Sequence, residues 1–317
     1  MSKEILDILT QFGAGGGDPG NNAVRFLLAA FFWVVLAAVS TQQYRRSSDR
    51  RDLYVGIAAA VGLSRELLMF VLEYGAHRGI VPMLLSYRLF PPLEHALTDI
   101  GRIMLGAAFL NYFVPEKNWG KSFLKAGVAL FVLLYLATAP TWVRFLDANP
   151  ALYRVHLAEF GLFWGDMAFR IAGSAAMALV LVLLLARRVG GTPVPVALFL
   201  AFSFLFLDEF LMAVNISLGL AEWRPLFAPI RHNLGIWAIP LVLATYWGEL
   251  FRQLRAAKGE SERLLAERKR VDDSLRESEG RYRTLVENIN LGITLVDSDF
   301  RIVMVNRAHA ALFKLPP

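Results

Sequence analysis

The chain has no cysteine among its 317 residues. That excludes a disulfide scaffold, a thiol nucleophile and a cysteine-based zinc or iron–sulfur site. Charge is also scarce. Asp, Glu, Lys and Arg make up 19% of the chain, hydrophobic residues 56%, and the mean hydropathy is +0.45; a soluble domain carries about 25% charge. Such a composition excludes a disordered chain, which needs low hydrophobicity and high charge. Several short motifs are missing as well. There is no His-Glu-x-x-His, no Gly-x-Ser-x-Gly and no P-loop, so zincin, hydrolase and nucleotide-binding readings lack their usual residues. No pair of similar halves suggests a transporter repeat, although Pro229 and Pro240 are placed to kink the last apolar stretch.

What is present is a set of long apolar runs. A membrane helix needs about 20 mostly apolar residues. Seven stretches qualify, over 23–43, 53–74, 92–114, 122–141, 157–185, 193–215 and 228–250. The expected fold is mainly α: a polytopic seven-helix membrane bundle, then a long cytosolic coiled-coil helix and a truncated α+β start of a further domain. Residues 1–22 are expected to be a flexible outer tail, and 23–250 the membrane domain. The last stretch holds no lysine, so a retinal Schiff base is excluded there.

Lys and Arg in short loops set orientation. With the N-terminus outside, the inner connections hold 12 of them in 35 residues and the outer stretches 7 in 72. The expectation is a bacterial inner (plasma) membrane protein, N-terminus outside and C-terminus cytoplasmic. The net charge of +6 is then largely topological and gives no reason to expect a nucleic-acid partner. Trp142 and Trp223 fall at the predicted outer interface.

Ionisable residues inside a membrane are costly and usually face a bundle interior or a wet cavity. Here they recur at helical spacing. Glu66, Glu94, His95, Asp99, Glu159, Asp166, Asp208, Glu209 and His232 form the candidate intramembrane polar pocket, with Arg65, Arg102, Arg170 and Arg231 as candidate ion-pair partners. His95, Asp99 and Arg102 share one helix face, as do Glu159, Asp166 and Arg170. Nearly all fall in the outer half of their spans. Two readings stay open: an internal ion-pair network that only packs helices, or a pocket for a ligand, proton or metal. Acids outnumber bases at this level, which favours a cation, a metal or a protonation sensor. His95 and His232 are the candidate metal ligands, and two histidines on different helices also suit haem; no cofactor is assignable beyond that.

After Glu249 the chain becomes charged. Leu250, Leu254, Leu264, Val271, Leu275 and Leu285 lie in a heptad seam over 251–285, interrupted by Ser261, Arg268 and Ser278. This predicts a parallel dimeric coiled coil, with a solitary spacer helix as the alternative. The period then changes. Residues 293–297 and 301–306 read as short strands around a turn at Ser298-Asp299-Phe300, and Ala308–Lys314 begins a helix.

The run YRTLVENI, then GITLVDSD, then a second strand ending in VNRA, then AALF, resembles the opening of a PAS domain. The resemblance implies that 286–317 is an incomplete PAS domain, too short to fold alone or to hold a PAS ligand. A multi-span domain, a helical linker and a PAS start resemble bacterial membrane sensors, sensor histidine kinases foremost and diguanylate cyclases next. The resemblance implies a homodimer in the lipid bilayer that reaches a response regulator only through an output domain absent here. No catalytic domain is expected in this chain, since it has no phospho-accepting His region, ATP-binding domain or GGDEF. The expected function is a sensory input module; the alternative is a seven-span transporter or membrane enzyme with a regulatory cytosolic extension.

Overall fold

A computed structural model describes residues 19–115, 118–150, 163–191, 194–219 and 224–312. The chain divides into two units, Met1–Gly248 and Glu249–Pro317.

In the first unit, α1 is Pro19–Ser47, α2 Arg50–Met69, α3 Met83–Phe113, α4 Trp119–Ala148, α5 Trp164–Val189, α6 Val196–Ser217, and α7 begins at Arg224. α2 continues through a π turn, Phe70–Tyr74, into a short turn of helix at Gly75–His77. Five helices among the described residues are long and apolar enough to cross a membrane: Ala23–Ser47, Arg50–His77, Trp119–Ala148, Trp164–Val189 and Val196–Ser217. The third and seventh predicted spans are not in that set. The third differs for a physical reason, because α3 carries Glu94, Asp99 and Arg102. It also starts at Met83 rather than at 92, running through Pro91 and Pro92.

α3 is nevertheless the helix around which the others gather. It packs against α2, α4 and α5, while α1 lies on α2 and α5 on α6. Its apolar face is small and tightly covered: Ala96, Ile103, Leu105, Ala107, Ala108 and Phe109 are buried. They join Val55, Phe131, Phe169, Phe202 and Val242 in one core cluster. Small residues let helices approach closely, as membrane helices require. A Cβ on Gly62 would stand 2.4 Å from the Trp33 ring, so α1 and α2 meet through that glycine. Outward, Phe31, Leu133, Leu136, Ile171 and Val182 are exposed, an apolar belt suited to acyl chains. Trp142 departs from its expected interfacial place. It is buried, stacked on Phe145, and its Nε1 donates to Tyr87 O at 2.8 Å. Trp223 lies outside the described residues.

One end of the bundle is tied by a second polar group that the sequence reading treated as loop charge. Asp52 and Arg51 are buried at the start of α2. Asp52 Oδ1 accepts from Arg51 Nε at 3.0 Å and from the Tyr246 hydroxyl of α7 at 3.1 Å; Oδ2 accepts from Ser47 Oγ at 3.1 Å. The Arg51 guanidinium also lies over the rings of Tyr112 and Tyr246, at 4.2 and 5.5 Å. α1, α2, α3 and α7 therefore converge on the Arg51–Asp52 pair.

In the second unit, α7 runs on to Asn288. Leu254, Leu264, Val271, Leu275 and Leu285 of the predicted seam are exposed along it, and the Leu250 side chain lies outside the described ones. β1 (Thr294–Val296) pairs antiparallel with β2 (Ile302–Val305), in register Thr294↔Val305, with an irregularity after Leu295. Asp297 Oδ1 closes the turn by accepting from the backbone N–H of Asp299 and Arg301, both at 2.9 Å. Phe300 takes a left-handed φ of 61° there. α8 is Arg307–Leu312. Asn306, fully buried, ties these pieces together. Its Oδ1 accepts from Ile293 N at 2.8 Å and His309 N at 3.0 Å, while Nδ2 donates to Val286 O at 2.9 Å and Leu291 O at 2.8 Å.

A hydrogen bond to a charged group contributes about 1.5–3 kcal/mol. Tyr246→Phe is expected to lower stability by about that much in detergent unfolding. Tyr282→Phe, at an exposed position, should leave the unfolding midpoint unchanged.

Candidate functional site

The site is built on four helices, each bringing side chains that repel lipid. On α3, Asp99 and Arg102 stand one turn apart. On α5, Asp166 and Arg170 do the same. α6 supplies adjacent Asp208 and Glu209, and α7 supplies Arg231. Asp99, Asp166, Asp208 and Glu209 are buried, as are Arg102 and Arg170.

Glu209 is the hub. Its Oε1 accepts from Arg102 Nη1, and its Oε2 accepts from Arg170 Nη1 at 2.7 Å. Arg102 uses Nη2 to donate to Asp208 Oδ2, so its planar fork binds two neighbouring carboxylates. Arg170 Nε donates to Asp166 Oδ1 at 3.2 Å. His95 Nε2 lies 3.1 Å from the same Asp166 oxygen; that contact needs the ring form with a proton on Nε2. The His95 ring stacks on Phe169 at 5.4 Å. Arg231 Nε stands 3.4 Å from Asp208 Oδ1, and its Nη2 donates to His232 Nε2 at 2.7 Å. Asp99 sits apart. Arg102 Nη1 is 3.7 Å from its Oδ1, and neither carboxylate oxygen makes a hydrogen bond among the described residues.

Two glycines make this convergence possible. A Cβ on Gly173 of α5 would stand 2.9 Å from Asp99 Oδ1 and 3.2 Å from Glu209 Cγ. A Cβ on Gly235 of α7 would stand 3.2 Å from Asp208 Oδ2. A larger residue at Gly173 would require the Asp99 and Glu209 side chains to shift.

A smaller group joins α2 to α3. Arg65 Nη1 donates to Glu66 Oε1 at 2.7 Å, and Arg65 Nη2 donates to Glu94 Oε1. Both groups line one cavity of about 110 Å³, along with Arg25 and Trp33 of α1 and His232 of α7. That is several times the room a single water needs.

The structure thus brings together Glu66, Glu94, His95, Asp99, Asp166, Asp208, Glu209 and His232, with all four candidate arginines. Glu159 lies outside the described residues. Arg25 joins the residues brought together, although its place at the outer edge of the first apolar stretch, 23–43, gives no sign in the sequence that it turns inward. Among the described residues no group of three or more His, Cys, Asp or Glu side chains is arranged to hold a metal ion. The carboxylates near His95 and His232 are instead engaged by guanidinium groups.

Residues 280–316 match the family described as PAS domain. The matched stretch covers the end of α7, the β1–β2 hairpin and α8, and holds Asn306. No curated protein and no solved structure matches the chain. The long apolar helices fit a membrane protein, and the segment similar to PAS domains points to a sensory role.

Removing one member of a buried ion pair costs about 3–5 kcal/mol, because the other charge is stranded. Glu209→Gln leaves both Arg102 and Arg170 short of an acceptor. It is expected to destabilise the purified protein by about that amount in detergent unfolding. Glu262→Gln, in the exposed Lys258–Glu262 pair, should leave the midpoint unchanged.

Proposed function

We propose that this chain is the sensory input module of a bacterial signal-transduction protein in the inner membrane. In this reading α3 and the first part of α7 also cross the bilayer, giving seven spans with the N-terminus outside. A stimulus at the polar cavity, or in the bilayer beside it, shifts α7. The shift passes along a dimeric coiled coil to the PAS-like segment and on to an output domain, most simply a histidine kinase acting on a response regulator.

The supporting observation is the make-up of α7. One helix supplies Arg231 to the buried charges and Tyr246 to the Asp52 tie, carries the heptad seam, and ends within the PAS-matching stretch. An exposed leucine seam is the usual address of a second helix. A plain anchor has no use for ionisable groups at membrane depth.

The absence of native cysteine gives a clean background for the test. Leu264→Cys and Leu275→Cys should each form disulfide-linked dimers in membranes, and Ala266→Cys, on the opposite helix face, should not. Adding Arg231→Gln should change the cross-linking yield at Leu264→Cys. Equal yields at all three positions, or solute flux through proteoliposomes of the protein, would sink the sensory reading in favour of a transporter.

A further inference from the structure

The cavity between α1, α2, α3, α5, α6 and α7 has a polarity that the residue count hides. Counting acids against bases along the sequence favours a cation. The bonding pattern argues the reverse. Every carboxylate lining the cavity already holds a guanidinium: Glu66 and Glu94 hold Arg65, Asp208 holds Arg102 and, at 3.4 Å, Arg231, and Glu209 holds Arg102 and Arg170. Five arginines line it against these four acids. Asp99 and Asp166 stand behind the wall and do not line it.

The groups left over are donors. Arg25 Nη1 and Arg65 Nε are buried and make no hydrogen bond among the described residues, and Arg231 Nε, also buried without a hydrogen bond, meets Asp208 only through the 3.4 Å ion pair. They come from three helices, and their residues all line this cavity, as does Thr98, whose hydroxyl is likewise buried and unbonded. Buried N–H groups without acceptors are expensive, at about 1–3 kcal/mol each and more when charged. Guanidinium forks match planar or tetrahedral oxyanions. We propose that the cavity is a binding site for a small oxyanion, a carboxylate or phosphate group, held by Arg25, Arg65 and Arg231.

The group comes either from a free solute or from a lipid headgroup reaching in from the bilayer; the chemistry of capture is the same. Because Arg231 belongs to α7, the anion would bind α7 to α1 and α2. This deepens the sensory reading and rests on it for its consequence, while binding itself is measured without any signalling readout.

The test uses the full chain in nanodiscs of zwitterionic lipid. Inorganic phosphate and acetate are titrated as sodium salts, with sodium chloride, potassium chloride and calcium chloride as controls. Emission from Trp33, which lines the cavity, is isolated by difference from Trp33→Phe. A second arm replaces part of the lipid by phosphatidylglycerol. A saturable change with phosphate or acetate is expected, weakened roughly tenfold or more by Arg25→Gln, and it assigns a free solute. A change seen only with phosphatidylglycerol, and lost in the same variant, assigns a headgroup. Arg25→Gln strands no carboxylate of the cavity wall, and Arg25→Lys keeps the charge without the fork, so fold loss is separable by size-exclusion profile. Saturable binding of potassium or calcium without anion binding overturns the proposal. So does the absence of any saturable change in all arms with well-folded protein.

Discussion

Everything in the bundle depends on neutralising Glu209. A carboxylate at membrane depth is tolerable only when its charge is met at contact distance. Arg102 from α3 and Arg170 from α5 meet it from two sides, and each then carries its spare donors to a further acid. The helices are thereby fixed in relative height as well as in proximity, because a guanidinium fork is directional. Lipid gives no hydrophobic drive for helix association, so packing and interhelical polar contacts carry that role. Gly173 shows the two working together: its lack of a side chain brings α5 within reach of Asp99 and Glu209, and the ion pairs hold it there.

How much of this was legible in the sequence follows from which signals are local. Helical spacing put His95, Asp99 and Arg102 on one face, and Asp166 with Arg170 on another; those placements need only the helix period. The common depth expected of the charges rests on span direction alone. The pairing does not, because which acid meets which base depends on helix order and rotation. Arg102 bonds Asp208 and Glu209 on α6 more closely than Asp99 on its own helix. In the sequence Arg51 stands with Arg45, Arg46 and Arg50 in the predicted inner connection 44–52 and reads as a loop charge; its burial beside Asp52 needs Tyr112 and Tyr246 from distant helices. The strands and turn of the PAS-like segment were legible within a residue or two, since turn chemistry at Asp297 and alternation are local.

α7 is where the two halves of the sequence reading meet. Its opening residues follow membrane rules, with one arginine turned inward. Its later residues follow heptad rules, with charge on the flanks. The seam is interrupted by Ser261, Arg268 and Ser278, so a helix pair formed along it would be shallow in energy. Shallow packing is what a two-state element needs, since its alternatives must lie within a few kcal/mol.

The ion pairs themselves argue against a purely structural account of the cavity. A network selected only to pack helices gains most when every donor and acceptor is closed, because a half-satisfied polar group in a low dielectric is worse than an apolar one. Glu209 with Arg102, Arg170, Asp166 and Asp208 approaches that condition, although Asp99 beside them makes no hydrogen bond among the described residues. The cavity wall does not: its acceptors are engaged, while donors on Arg25 and Arg65 make no hydrogen bond among the described residues and Arg231 Nε has only the 3.4 Å ion pair with Asp208. Leucine or phenylalanine in place of Arg25 would have packed α1 at less expense. A wall whose unbonded groups are mainly donors is the arrangement expected when something other than the protein completes it.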